Sequence, residues 1–325
     1  MMFRILTYLS IITMIVLVCN KFNVGNVSFF IGYDAASSKT SNYGQLLRKQ
    51  GLDEVYMERN PFGGNDDVIQ LRDGHTVKCR RDKGLRYKDF KIIPSSRGRP
   101  NIHPESDIIH QYLDHLCGLE LGAASYAPFG LKSAFVGLTP ELDAKDAASY
   151  DSHQRGINGV AVKVDIPGFA NNLSLVPDSA ADFFLASHVL EHLPDPIGAI
   201  IEWIRVVRVN GYVAIMVPHR KNPFDKNRNV TLLSDLQKHF NNEATAEERS
   251  ANEGVGYREH YNVFDTNLFL EVCQLASELS MNTANDPKGL ELVHYQELDD
   301  IIQVGNIALW RVVLRTDSTS ITRGS

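Results

Sequence analysis

The spacing of apolar residues divides the chain into three parts. An uncharged apolar run occupies residues 5–19, and a polar stretch rich in turn-forming residues follows to about residue 100. Beyond it, strand-like and helix-like spacings alternate. The strand-like runs are at 118–121, 133–136, 160–164, 181–186, 212–217, 290–295 and 307–314, and the helix-like runs are at 108–116, 197–207 and 262–280. This alternation predicts a doubly wound α/β sheet that is mostly parallel.

The N-terminal apolar run predicts a targeting segment over residues 1–20. Arg4 precedes it and Lys21 follows it, as expected for a signal peptide or a membrane anchor. The run is short for a full membrane span, but no small-x-small cleavage site follows it. These features favour an uncleaved anchor, and with it a membrane-anchored or secretory-pathway location. The alternative is a buried N-terminal helix in a cytoplasmic protein.

The polar stretch predicts an N-terminal extension over residues 21–100. Apolar alternation on both sides of Asp73-Gly74 predicts a β-hairpin over residues 68–79. Residues 95–100 have the composition of a linker. The α/β domain is therefore expected over residues 101–316, with a flexible tail over residues 317–325.

Composition narrows the choice of partners. The chain has 325 residues and a formal net charge of −6, so its overall charge offers no electrostatic footprint for nucleic acid and argues against such a partner. Its four cysteines are widely spaced and form no CxxC pair. We therefore expect them to be packing residues and not a disulfide framework.

Small and polar residues follow several of the predicted strands. Glu120 lies within the first strand, which ends in Gly122-Ala123-Ala124, while Asp165 follows the third and Ser187-His188 the fourth. The carboxyl ends of parallel strands meet at one edge, so these residues predict a ligand crevice. A tight turn after the first strand, and a turn cap at Asp165, are the alternatives.

His188 and His192 are four residues apart, with Glu191 beside the second histidine. On a helix this spacing is typical of zinc hydrolases, but their HExxH pattern is absent. Pro194 and Pro196 also close the segment within a few residues. We therefore expect no metal site here, and interpret the pair as loop packing or a cofactor contact.

Four segments in succession resemble the class I S-adenosylmethionine-dependent methyltransferases. They are LELGAAS, VDIPG, ADFFLASHVLEHLPDP and EWIRVVRVNGYVAIMVPHR. More narrowly, GLELGAASYAPFGL, SHVLEHLPDP and NGYVAIMVPHR, followed by residues 224–228 and 259–261, resemble small methyltransferases, with a methyltransferase-11-like domain, that are associated with sugar and glycan biosynthesis. The resemblance covers about residues 107–315. It implies a Rossmann-like sheet of seven strands, mostly parallel, with a last antiparallel strand, and S-adenosyl-L-methionine as the cofactor.

The resemblance also implies roles for single residues. The methionine part of the cofactor would be held at the first strand, the adenine flanked after the third, and the sulfonium side lined after the fourth. The residues in these roles are Glu120, Gly122, Ala123 and Ala124, then Asp165 and Ile166, then Ser187 and His188.

One position departs from the family pattern. The second strand usually ends in an acid that accepts hydrogen bonds from the ribose, but here Gly137-Leu138 follows Val136. Either Glu141 or Asp143 replaces that acid, or ribose binding is weakened. A non-catalytic binding or scaffold protein with the same fold is therefore the alternative to an enzyme.

The acceptor side is expected beyond the fifth strand. His219 follows that strand, and an oxygen acceptor needs a base suited to neutral pH, so His219 is the catalytic candidate; an ordinary loop histidine is the alternative. The segment expected to cover the acceptor contains Asp225, Arg228, His239, Glu259, His260 and Tyr261. These groups suit a hydroxylated or anionic acceptor, or else form a structural salt-bridge network. The predicted function is methyl transfer to a small-molecule or glycan-like acceptor.

Overall fold

The computed structural model describes residues 67–81, 107–121, 131–158, 163–245, 260–282, 286–297 and 305–314. The predicted targeting segment at 1–20, the linker at 95–100 and the tail at 317–325 lie outside these ranges and stay predictions. Within the described ranges, no helix combines the length and apolar character needed to cross a membrane.

A mixed sheet forms the centre of the described fold. Its strands are β3 (Arg80–Arg81), β4 (Cys117–Leu121), β5 (Lys132–Gly137), β6 (Ile166–Pro167), β7 (Ala181–Ser187), β8 (Val207–Pro218), β9 (Lys288–Gln296) and β10 (Gly305–Leu314). The order across the sheet is β3-β5-β4-β7-β8-β10-β9, and β6 also pairs with β5. The central pairs are parallel, while β10 runs antiparallel to both β8 and β9. The predicted fold class is confirmed.

Helices cover both faces of this sheet. They are α1 (Asp107–Leu113), α2 (Pro140–Asn158), α3 (Pro196–Val206), α4 (Leu233–Phe240) and α5 (Thr266–Met281). Apolar side chains of α3 and α5 pack into one core cluster, and those of α1 into a second that includes Phe183 and Tyr212. Because both faces are covered, the central strands are apolar on both sides, which explains the continuous apolar runs in the sequence.

Three parts of the fold differ from the expected elements. Of the expected strand 160–164, the described residues 163 and 164 are not in a strand; the strand that pairs with β5 is Ile166–Pro167, so Asp165 precedes it. Helix α2 was not predicted, because its sequence is polar with only weak amphipathic spacing. Helix α4 lies in the segment expected to cover the acceptor, where no helix was predicted, and only Leu236 of that helix is buried.

The turn between α3 and the core of β8 depends on two residues. Asn210 adopts a left-handed backbone conformation, with φ of 64°, which asparagine tolerates better than most residues. A Cβ atom on Gly211 would lie 2.4 Å from the backbone oxygen of Asp182. Glycine therefore lets β8 approach β7 closely, and the two strands pair as far as Ser187 and Met216.

A hairpin lies against this fold. Strands β1 (Val68–Gln70) and β2 (Thr76–Lys78) are antiparallel, and the turn between them contains Gly74, with φ of 87°. Ile69, Leu71 and Cys79 of the hairpin are buried in the same core cluster as β4 and α3. The hairpin thus contributes to the core of the α/β fold.

Cys79 and Cys117 form a disulfide. The expectation that the cysteines are packing residues is therefore wrong for this pair, although Cys273 is a buried free thiol as expected. Sequence spacing gave no sign of the bond because the two cysteines are 38 residues apart and meet only when the hairpin docks beside β4. The disulfide links the hairpin to the first residue of β4.

The disulfide should stabilise the fold. Cys79→Ser with Cys117→Ser, or reduction, should lower the free energy of unfolding by about 2–4 kcal/mol, because the cross-link restricts the unfolded chain. Denaturant unfolding with and without reductant measures this difference. Under denaturing, non-reducing conditions, at most two of the four cysteines should react with a thiol reagent; labelling of all four would contradict the bond.

Candidate functional site

The pairing register brings the ends of the parallel strands to one edge of the sheet. Leu121 pairs with Val136 on one side and with Ala186 on the other, and Val136 pairs in turn with Ile166. On the far side, Ser187 pairs with Met216. We call this line of strand ends the carboxyl edge. Ligands of open parallel sheets bind at such an edge.

Glu120 lies one residue before the end of β4 and is buried. Its Oε2 accepts a hydrogen bond of 2.9 Å from Ser133 Oγ on β5. Ser133 therefore orients the carboxylate, a partner that the sequence analysis missed because the two residues lie on different strands. The turn that follows, with Gly122, Ala123 and Ala124, lies outside the described residues, and its predicted cofactor contacts stay predictions.

Ser187 is the last residue of β7 and is 1% exposed. Its hydroxyl has no hydrogen-bond partner among the described residues. A buried hydroxyl normally has a partner, so an unsatisfied one at the carboxyl edge is suited to a ligand group. Ser187 therefore fits the predicted role of a cofactor contact.

His188 begins the turn after β7 in an uncommon conformation. Its φ is 53°, in the left-handed region that non-glycine residues rarely adopt, while its backbone N–H donates to the Met216 carbonyl over 3.0 Å. A Cβ atom on Gly305 would lie 3.6 Å from the imidazole ring. The ring is therefore directed across β8 towards β10, away from β4.

Asp165 holds neighbouring strands together. Its carboxylate accepts a hydrogen bond of 3.1 Å from the backbone N–H of Phe135 and pairs with Arg80 of β3. Its own N–H donates to the Phe135 carbonyl over 2.9 Å. Ile166 is buried in the core cluster. Both residues thus have structural contacts that the sequence did not indicate, and their predicted contacts with adenine stay predictions.

The predicted substitutes for the ribose-binding acid have local contacts. Asp143 accepts a hydrogen bond of 2.9 Å from the Asp146 N–H at the kink in α2. Glu141 is exposed, and hydrogen bonds from its own backbone N–H and the Thr139 side chain lower its pKa. Asp143 is therefore engaged in the helix, whereas Glu141 is exposed to solvent.

His219 follows β8 and is buried. Its Nδ1 accepts a hydrogen bond of 3.1 Å from the Lys221 N–H, so the neutral ring carries its proton on Nε2. Burial, with the charge of Lys221 nearby, lowers the pKa of His219. The nitrogen that could accept a proton is thus engaged by a backbone hydrogen bond in this structure. The predicted role of His219 as general base stays a prediction.

Asp225 is the centre of a hydrogen-bonded network beyond β8. Its Oδ2 lies 2.5 Å from His260 Nδ1 and 2.7 Å from Asn222 Nδ2, while Oδ1 accepts from Arg228 Nη1 over 2.9 Å. Burial alone would raise the pKa of Asp225, but these three donors lower it. Burial would lower the pKa of His260, but the carboxylates of Asp225 and Glu191 raise it.

Asn262 fastens this network to the turn after β7. Its backbone N–H donates to the Glu191 carbonyl over 2.8 Å, and its Nδ2 donates to the Leu193 carbonyl over 2.7 Å. The segment that begins at His260 is thereby held against the 3₁₀ turn Leu190–His192, and the rings of His192 and His260 lie edge to face at 5.3 Å. The carboxyl edge and the Asp225 network are therefore contiguous.

The other residues expected to cover the acceptor are placed as follows. The rings of His239 and Tyr261 meet edge to face at 5.8 Å, and Glu259 lies outside the described residues. Asn222 and Asn262 were missed, although Asn222 lies three residues before Asp225 in a spacing suited to a local hydrogen bond. The contacts of Asn262 join segments that are far apart in the sequence, so the local sequence pattern could not predict them.

The segment that forms this site is similar to a known protein family. Residues 113–215, which span β4 to β8 and the carboxyl edge, match the family model described as a methyltransferase domain. No curated protein matches the chain. The match covers 103 of the 325 residues and agrees with the resemblance to methyltransferases that the sequence implied for this segment.

Solved structures of S-adenosylmethionine-dependent methyltransferases are also similar. One from Thermotoga maritima is 17% identical, with 62% of this chain and 85% of that chain covered and a TM-score of 0.37. One from Methanosarcina mazei is 17% identical, with 64% and 98% covered and a TM-score of 0.38. Both TM-scores are low, and these structural similarities do not indicate which chemical group this chain would methylate.

Proposed function

We propose that this chain transfers the methyl group of S-adenosylmethionine to a hydroxyl group on a small-molecule or glycan-like acceptor. The observation that carries the proposal is the contiguity of two polar regions. The carboxyl edge offers Glu120 and Ser187 to a donor, and the turn His188–His192 leads directly to the Asp225 network, which offers charged groups to an acceptor.

The described residues fit the donor. S-adenosylmethionine supplies a methyl group on a sulfonium centre, so alignment with the acceptor can provide much of the rate. The Glu120 carboxylate can accept hydrogen bonds from an ammonium group, and the unsatisfied Ser187 hydroxyl can donate one or accept one. Both side chains are buried, which excludes water from these contacts.

The acceptor side combines charge with an exposed aromatic ring. Phe224 is 83% exposed, and its ring lies 6.2 Å from that of His260. Arg228 is partly exposed, and its guanidinium group is held by the buried Asp225. A sugar has a C–H face that can pack on an aromatic ring and hydroxyl groups that can bond to such polar groups, which supports a glycan-like acceptor.

A non-catalytic binding protein is the second candidate. The observation in its favour is Gly137, which replaces the expected ribose-binding acid. Gly137 also packs closely, since a Cβ atom there would lie 3.1 Å from Val164 Cγ2. If the chain is such a binding protein, it binds the donor but transfers no methyl group.

We extend the proposal to the cellular location. Disulfides persist in oxidising compartments, so the Cys79–Cys117 bond supports the secretory pathway and an anchor or signal at residues 1–20. Protein purified from the cells that naturally produce it should then contain this disulfide. Fully reduced cysteines in that material would contradict the location.

Donor binding provides the first test. Calorimetry of the full chain should show binding of S-adenosylmethionine, weakened about 10- to 100-fold by Glu120→Gln because a hydrogen bond between charged groups is lost. Ser187→Ala should weaken donor binding while changing stability by no more than about 0.5 kcal/mol, because its hydroxyl is unsatisfied among the described residues.

Two variants serve as matched controls. Glu278→Gln alters an exposed acid on α5, and Ser277→Ala removes a buried hydroxyl that accepts from the Leu290 N–H over 2.8 Å. Ser277→Ala should lower stability by about 1–3 kcal/mol and leave donor affinity intact. An unmodified chain that binds no donor would refute the proposal.

Methyl transfer provides the second test. The full chain, incubated with methyl-labelled donor and separate pools of glycans, lipids and small metabolites, should label a hydroxylated acceptor. Phe224→Ala should reduce transfer to that acceptor without weakening donor binding, because the ring lies on the acceptor side. Leu232→Ala, which also truncates an exposed apolar side chain, should have no effect. Donor binding without label in any pool would favour the non-catalytic candidate.

A further inference from the structure

Glu191 lies between the two polar regions and is 1% exposed. Neither of its carboxylate oxygens has a hydrogen-bond partner among the described residues. Burying a carboxylate without hydrogen bonds is costly unless a cation compensates it. Protonated imidazoles of His188 and His192, which lie at ion-pair distance, or a bound cation can provide that compensation.

Two imidazole rings lie close to the Glu191 carboxylate. His188 Nδ1 lies 3.4 Å from Oε1, and His192 Nε2 lies 3.6 Å from the same oxygen. Both separations exceed the usual 2.7–3.2 Å of a nitrogen–oxygen hydrogen bond. Ligand atoms bound tetrahedrally to a zinc ion lie about 3.3–3.5 Å from one another, given its usual bond lengths. The separation of His192 from Glu191 is slightly longer than this spacing, while His188 lies near Glu191 as an ion-pair partner and not as a ligand of a shared ion.

His260 adds a third donor to this group. One ligand atom each from Glu191, His192 and His260 lies within 4.8 Å of the other two. Since Nδ1 of His260 is bonded to Asp225, Nε2 is the nitrogen left to coordinate. Histidine ligands of metals usually donate their other ring N–H to a carboxylate, which fixes the tautomer and the orientation of the ring. Asp225 occupies that position.

We propose that Glu191, His192 and His260 bind one divalent transition-metal ion of the zinc class. Two imidazoles and a carboxylate form a common ligand set for such ions, with a further position open to a substrate or water. Asp225 acts as a positioning residue for His260, and Asn222 and Arg228 hold Asp225 in turn. Asn262 keeps His260 beside the Glu191 turn.

This proposal departs from the expectation of no metal site. The sequence analysis considered His188 with His192, whose spacing lacked a third ligand. The structure instead joins Glu191 and His192 with His260, which comes from a later segment of the chain. Sequence spacing alone could not show this group, because the tertiary contact through Asn262 creates it.

The ion has a defined use if the proposed function is correct. Its open position could hold an acceptor oxygen next to the carboxyl edge and lower the pKa of the bound hydroxyl group, whose proton would pass to water as the sulfonium S–C bond breaks and the methyl group binds the oxygen. This use rests on the proposed methyl transfer. The metal site itself does not, because Glu120 and Ser187, which we assign to the donor, are not among its three ligands.

Metal analysis of the full chain tests the proposal. After incubation with Zn²⁺ and dialysis, the protein should retain one equivalent of zinc, and Co²⁺ in its place should give visible absorption bands. His192→Ala and His260→Ala should each abolish retention. Asp225→Asn should weaken zinc affinity about 10- to 100-fold while all three ligands remain, as is typical when the partner of a metal-bound histidine is removed.

His75→Ala is the matched control, because it removes an exposed imidazole in the hairpin turn and should leave zinc retention unchanged. X-ray absorption spectroscopy of the zinc-loaded parent chain reports the zinc ligands directly, without any substitution. It should show two imidazole ligands. A parent chain that retains no zinc, or zinc retained in both His192→Ala and His260→Ala, would overturn the proposal.

Calorimetry on the same samples separates this proposal from the proposed function. His192→Ala should lose zinc but still bind S-adenosylmethionine. A parent chain that binds the donor and no zinc would refute the metal site alone. A chain that binds zinc and no donor would refute the methyltransferase proposal and leave the metal site standing.

Discussion

The parallel pairing of β4 with β5 and β7, and of β7 with β8 from Phe183 onward, is the constraint on which the rest of the structure depends. This pairing places the ends of four neighbouring segments on one line. A one-residue shift of β7 would turn Ser187 to the opposite face of the sheet and move the start of the turn at His188. Glycine at position 211 secures the register by allowing β8 to approach β7.

The residues of the Asp225 network lie next to this line of strand ends because short turns and hydrogen bonds connect them to it. The turn after β7 presents Glu191 and His192, and Asn262 fastens the later segment that carries His260. Asp225 then fixes the orientation of His260. A proposed donor region on strand ends and a proposed acceptor region on loops are consistent with a rigid scaffold that carries adaptable binding groups.

The sequence predicted the parts of the fold that local pattern determines. The buried strands β4, β7 and β8 are apolar runs of the kind found in central parallel strands, and they lie close to where they were expected. Helix α2 was missed because few of its side chains are apolar, and β6 was misplaced because it is only two residues long. The Cys79–Cys117 bond and the contacts of Asp165 with Arg80 depend on docking of the hairpin, which no local pattern encodes.

For the site, the sequence placed its candidates at strand ends that the structure brings to one edge, but it gave no sign of the backbone hydrogen bond to Nδ1 of His219. Hydrogen–deuterium exchange of the full chain, with and without S-adenosylmethionine, tests the central claim most directly. Binding of the donor should slow exchange at the ends of β4 and β7 and in the turn Leu190–His192, while the hairpin strands β1 and β2 stay unchanged. Unchanged exchange along the whole carboxyl edge at saturating donor would contradict the account.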